Sequence, residues 1–210
     1  MTSLEAVARE ALNAGWVSMR GDLPVMLEEA KLLGWDAIPI RKGESVFGTL
    51  KVVRAEHAHK NSLSAMVGHG SQPLHTDGAH HRLMPDIVML AAAQPSATPT
   101  LLCDPGPPSE AQRAGVFKVG GGSRAFYASA ADARGRWRYD PGCMTPMDDQ
   151  ARQASHELDA LLERTTEHHW QHPHTILVIA NRRVLHARAA ATDYQTRRVN
   201  RVALNSRLDL

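Results

Sequence analysis

The last third of the chain holds three strand-like apolar runs, TILVIAN (175–181), VLHARA (184–189) and RRVNRVALN (197–205), joined by short polar turns. Runs of this length that are rich in Val, Ile and Leu have to be buried against other strands. PDIVMLAAA (85–93) reads as a further buried strand and TPTLLCD (98–104) as another, with a Pro- and Gly-rich loop behind it. Residues 115–129 and 135–140 read as strands broken by glycine turns, Gly120–Gly122 being a hairpin turn, and 37–43 and 48–57 as short strands or extended segments. Helices are expected at 3–14, with Thr2 or Ser3 as cap, and at 24–33, with Pro24 in the first turn and Gly34 closing it. The longest helix is expected near 146–167, opened by Thr145 and Pro146, with Ala151, Ala154, Leu158, Leu161 and Leu162 on its buried stripe. HHWQHPH (168–174) reads as a connector after that helix. The expectation is a mainly β protein with N-terminal helices and one long inserted helix, its strands closed or sandwiched into an antiparallel barrel. At 210 residues it reads as a single domain, with an α/β lead-in over 1–50 and the body over 51–210.

Composition narrows the partners. A formal net charge of +2 and only 5% aromatic residues argue against a nucleic-acid surface. The cysteines, Cys103 and Cys143, belong to no metal-spaced pair and make no disulfide framework. The N-terminus lacks the apolar segment of a signal peptide, and no run is long enough to cross a membrane as a helix. A cytoplasmic location with a small-molecule partner is the expectation; oligomeric state is left open.

The chemistry is concentrated in two places. In LHTDGAHH (74–81), His75 and Asp77 lie two residues apart, so on an extended chain both face one side while Thr76 faces the other. In VLHARAAATDYQTRRVNRVAL, His186 sits within an apolar strand, where an imidazole needs a partner or a ligand. If 184–189 and 197–203 pair as a hairpin, alternation puts His186, Arg197 and Arg201 on one inward face and turns Arg198 outward. Two imidazoles and one carboxylate form a facial triad that leaves three positions on a metal open, as in non-heme Fe(II) oxygenases. An inward arginine fork suits the far carboxyl of a dicarboxylate.

PLHTDG, TPTLLCD and ANRRVLHAR…RRVNR resemble the Fe(II)/2-oxoglutarate-dependent dioxygenases of the taurine dioxygenase and clavaminate synthase type, over roughly residues 64–205. The resemblance implies a double-stranded β-helix, or jelly roll. It implies that His75, Asp77 and His186 bind Fe(II), that Arg197 and Thr100 hold the distal carboxylate of 2-oxoglutarate, and that Arg201 lies near its C1 carboxylate or an acidic group of the substrate. O2 is then the co-substrate, succinate and CO2 are the by-products, and an unactivated C–H bond is hydroxylated, desaturated or cyclised. The chain departs from the family pattern in having Thr98-Pro99 where GG is usual and Ala180 where Asp is usual. It is also short for the family, which implies reduced substrate-covering segments.

Arg188, two beyond His186, with His80 and His69, are the candidate substrate contacts, together suiting a small anionic or zwitterionic molecule such as an amino acid or biosynthetic intermediate. The remaining histidines are read as non-ligands. The alternatives are a non-redox jelly-roll metal enzyme (a Zn or Mn hydrolase or isomerase) and a non-catalytic binding module. The first leaves Arg197 and Thr100 without a role, and the second leaves a complete triad without one.

Overall fold

The computed structural model describes residues 3–41, 43–60 and 62–208. Ser3 caps α1 (Leu4–Ala14): its hydroxyl accepts from the Ala6 N–H at 3.3 Å, and Leu4, Val7, Ala8 and Ala11 form the buried stripe. Thr2, the other candidate cap, lies outside the described residues. Gly15, at φ 95°, ends the helix and turns the chain into β1 (Trp16–Arg20). α2 (Leu23–Leu32) follows with Pro24 in its first turn, then β2 (Asp36–Ala37), β3 (Gly48–Lys51), α3 (Leu63–Val67), β4 (Ile87–Ala92) and β5 (Ser96–Cys103). Next come α4 (Glu110–Ala114), β6 (Phe117–Val119), β7 (Phe126–Ala128), β8 (Met144–Pro146) and α5 (Asp149–Ala160). The chain closes with β9 (Thr166–Trp170), β10 (Thr175–Ala180), β11 (Leu185–Arg188) and β12 (Arg198–Asn205).

The strands form an antiparallel sandwich. The larger sheet runs β1-β10-β4-β12-β2, with β3 also beside β12. Every residue of β4 and β10 is buried, because both faces of this sheet are covered. Ile87, Met89, Ala91, Ile176 and Val178 pack under α1 and α2. Their alternates Val88, Leu90, Leu177 and Ile179 meet Leu102 and Trp170 of the smaller sheet, β11-β5-β9. A two-way backbone bridge between His75 and His186 adds the metal-motif segment as a fourth rung. The smaller sheet's outer face, with Leu101, Cys103, Leu185 and Ala187, packs on α5 and a third sheet, β7-β6-β8. The result is a double-stranded β-helix whose two main sheets face each other across an apolar layer.

Four expectations are corrected. The long helix begins at Asp149, not Pro146. Residues 144–146 are taken by pairing with β6, and Asp148 is the cap, one carboxylate oxygen accepting from the Ala151 N–H at 2.7 Å and the other from the Val116 N–H at 3.1 Å. It also ends early, passing at Ala160 into a 3-10 turn (Leu161–Arg164), so that Leu161 is only partly buried and Leu162 is exposed. Residues 168–174 are not a connector throughout: 166–170 form β9, drawn in by the fully buried Trp170. Of 135–140 only Trp137 joins a bridge, with Ala131. Finally, β11 and β12 do not form a hairpin. β11 pairs with β5, β12 with β4, and the segment between them crosses from one sheet to the other.

Candidate metal centre and cleft

A cleft opens between the two main sheets, and His75, Asp77 and His186 meet within it. His75 comes from the rung that bridges to β11, Asp77 lies two residues on, and His186 is in β11 itself. One ligand atom from each lies within 4.8 Å of the others, and Asp77 and His186 are only 6% and 4% exposed. Thr76 points away, as alternation requires, and exchanges hydrogen bonds with the Tyr139 backbone. The His75 Nδ1 lies 3.0 Å from the Pro73 carbonyl oxygen, so as an N–H donor there it leaves Nε2 with a free lone pair toward Asp77 and His186. His186 Nε2 is 3.6 Å from Asp77 Oδ2, and its Nδ1 is buried without a partner. Two imidazoles and a carboxylate, converging and under-satisfied, fit a first-row divalent cation.

Electrostatics prepare the same role. Burial, and then the neighbouring His186, hold the His75 pKa below its ordinary value, which favours the neutral, ligating imidazole. Burial alone would raise the Asp77 carboxyl, but the Arg201 guanidinium and the imidazoles of His186 and His75 outweigh it and keep the carboxyl well below the usual carboxylate range. Arg201 donates to Asp77 Oδ1 at 2.7 Å, which directs the other oxygen to the histidines.

Asn181, fully buried at the end of β10, holds the Asp77 backbone from both sides. Its Oδ1 accepts from the Asp77 N–H at 2.8 Å, and its Nδ2 donates to the carbonyls of Asp77 (2.9 Å) and Pro85 (2.8 Å). Asn181 was not among the residues singled out in the sequence.

Arg197 and Thr100 lie further along the cleft, 5% and 3% exposed. The Arg197 guanidinium makes no hydrogen bond to a protein group among the described residues, and its Nε is fully buried and unpartnered. Burial, and then the Arg188 guanidinium, lower its pKa to about 10, so it remains a cation at neutral pH. A buried, unpaired cation is expensive, and an anion from solution is the natural remedy. Thr100 Oγ1 accepts from the Trp170 indole at 3.2 Å. Arg197 is delivered by the 189–197 segment, which Asp193 ties to the start of β5: its carboxylate accepts from Ser96 Oγ (2.7 Å), the Ala97 N–H (3.1 Å) and Thr98 Oγ1.

The other sequence candidates are placed less centrally. Arg188 lines the cleft, but its guanidinium donates to the carbonyls of Gly68, His69, Gly70 and Ala189, so it braces the chain ahead of the metal motif. His80 lines the mouth, where its Nε2, like that of His81, lies within hydrogen-bond distance of the Ile40 carbonyl. His69 is not part of the cleft wall; its ring stacks on Tyr194 at 4.2 Å. Asp140, not among the sequence candidates, faces the cleft together with Arg41 and Lys51.

No protein-family model and no curated protein matches the chain. Solved structures do. An asparagine oxygenase with Fe(II), (2S,3S)-3-hydroxyasparagine and succinate superposes with a TM-score of 0.72 at 17% identity, covering 95% of this chain and 77% of that one. The non-heme iron oxygenase OrfP with Fe and alpha-ketoglutaric acid gives 0.68 at 18% identity, covering 95% and 78%. OrfP with Fe, succinate and (3R,4R)-dihydroxy-L-Arg gives 0.68 at 16%, covering 95% and 79%. The chain has their fold. The jelly roll shared with these oxygenases agrees with the architecture that the motif resemblance implies.

Proposed function

We propose that the protein is an Fe(II)- and 2-oxoglutarate-dependent oxygenase acting on a C–H bond of a small amino acid or related zwitterionic or anionic molecule. The observation that carries this reading is one cleft holding both a convergent His75, Asp77 and His186 set and, apart from it, a buried arginine with no partner. A bare metal hydrolase has no use for the second feature. Fe(II) and 2-oxoglutarate, when bound, supply the oxidising power: O2 is consumed, the oxo acid leaves as succinate and CO2, and one oxygen atom enters the substrate.

The chain's own residues then have defined tasks. His75 Nε2, the Asp77 carboxylate and His186 would hold the metal. Arg197 and Thr100 would take the distal carboxylate of 2-oxoglutarate. Arg201 keeps Asp77 ionised and oriented, while Leu90 and Val199 line the cleft with apolar surface that excludes water. Arg41, Lys51 and Asp140 put both signs of charge near the mouth, which suits a zwitterion. The neighbours crystallised with hydroxylated asparagine and arginine support amino acids as the first compounds to screen. We read residues 1–210 as one oxygenase domain of a cytoplasmic protein that binds no nucleic acid. Among the described residues no helix is long and apolar enough to cross a membrane.

The test is spectroscopic. Anaerobic addition of Fe(II) and 2-oxoglutarate should produce the visible charge-transfer band of the chelate, and Asp77→Ala should abolish it. Folded protein that binds Fe(II) without the band would favour the non-redox metal enzyme.

A further inference from the structure

Thr100 owes its hydrogen-bonding character to a residue outside the cleft. An indole N–H can only donate, so the Trp170–Thr100 hydrogen bond uses the threonine oxygen as acceptor. The hydroxyl's own proton must then go elsewhere, and among the described residues no protein group accepts it. Two buried groups without a partner lie nearby among the described residues: Arg197, a donor that lines the cleft, and His168 Nε2, which is not on the cleft wall. Trp170 is itself firmly placed. It has no exposed surface, lies in the apolar layer with Val88, Leu102 and Leu177, and carries the His168 ring edge-on at 4.5 Å.

We infer that Trp170 is a positioning residue that fills one acceptor position of the Thr100 hydroxyl and leaves its proton to be placed in the cleft, so that Thr100 and Arg197 together present mainly donors to an unprotonated carboxylate. A hydroxyl left free has two lone pairs with which to accept from an amide or alcohol; one engaged by the indole keeps a single one and accepts less readily. The inference rests on the proposed role of Thr100 and Arg197 toward 2-oxoglutarate, and adds the reason why that end would select a carboxylate over an isosteric amide.

The experiment is calorimetric titration of the Zn(II)-loaded protein with 2-oxoglutarate and with its distal amide, 2-oxoglutaramate, so that binding is read without turnover. Trp170→Phe should weaken 2-oxoglutarate by about three- to tenfold, the worth of one hydrogen bond, and weaken the amide less, so that the preference for the acid falls. In a Thr100→Val background the same change should have no further effect, whereas in a Thr100→Ser background, which keeps the hydroxyl, Trp170→Phe should again lower the preference for the acid. If Trp170→Phe does not fold, 3-benzothienylalanine at position 170 keeps the ring size and replaces the N–H with sulfur, and the same outcomes apply. Equal weakening of acid and amide, an undiminished effect in the Thr100→Val background, or no effect at all would make Trp170 a packing residue only and overturn the inference. Failure of the parent Zn(II) protein to bind 2-oxoglutarate would instead overturn the proposed function, and this inference with it.

Discussion

At the scale of single residues, the centre depends on a side chain that touches no substrate. Asn181 uses both amide protons and its oxygen to hold the Asp77 peptide and the Pro85 carbonyl, at a site with no exposure. Asn181→Asp keeps the shape and the acceptor but sets a carboxylate against two carbonyl oxygens. We expect a loss of about 3 kcal/mol in stability, typical of a broken buried polar network. A Co(II) titration should show metal affinity at least about tenfold weaker, the size seen when a ligand loses its support; unchanged affinity would remove Asn181 from the centre. Arg197 reaches the same cleft without the expected hairpin to β11, but the convergence of His75, Asp77 and His186 was legible in residue type and spacing. Asn181 was not, because its task is set by a backbone partner more than a hundred positions away, and Trp170 was hidden in a histidine-rich stretch.

At the scale of elements, the apolar runs that became β4, β5, β10, β11 and β12 were readable from burial and β-branching. What failed was non-local. Pro146 looks like a helix start until β6 claims residues 144–146, and β9 buries one residue, Trp170, completely, so its pattern is mostly polar. α4 went unread although Ser109 and Gln112 form a full capping box, because five residues are too few to show a helical period. The segment joining β11 to β12 is held by Asp193, whose carboxyl burial would raise but which the Ser96 and Thr98 hydroxyls keep below its ordinary value. Its contribution to stability is therefore complete above the unfolded-state value of about 4 and is lost as pH falls through the folded-state value. Urea denaturation from pH 7 down to pH 2 should show a shallower acid loss in Asp193→Asn than in the parent. Amide exchange at Ala97 and Thr192 should report the same release locally; identical acid slopes would show that the clamp does not depend on ionisation.

At the scale of the whole molecule, the two sheets are held by apolar side chains at one end and gape at the other, where the polar groups lack partners. Ligands that fill the gap should stabilise the protein as a unit. At about one hundred times their dissociation constants, Co(II) and 2-oxoglutarate should each raise Tm by about 5–10 °C for a chain of this size. Arg197→Ala should keep the metal's share and lose that of 2-oxoglutarate, as differential scanning fluorimetry can read. The bridge between His75 and His186 carries a further consequence, for time rather than energy. It joins segments more than a hundred residues apart, and the polypeptide between them includes two strands of the smaller sheet and α5. Closing so long an excursion is slow, and the two imidazoles cannot face each other until it is done. An ion held there would enter a nearly finished molecule: it would slow unfolding rather than hasten assembly, and its uptake would mark the moment the barrel shuts.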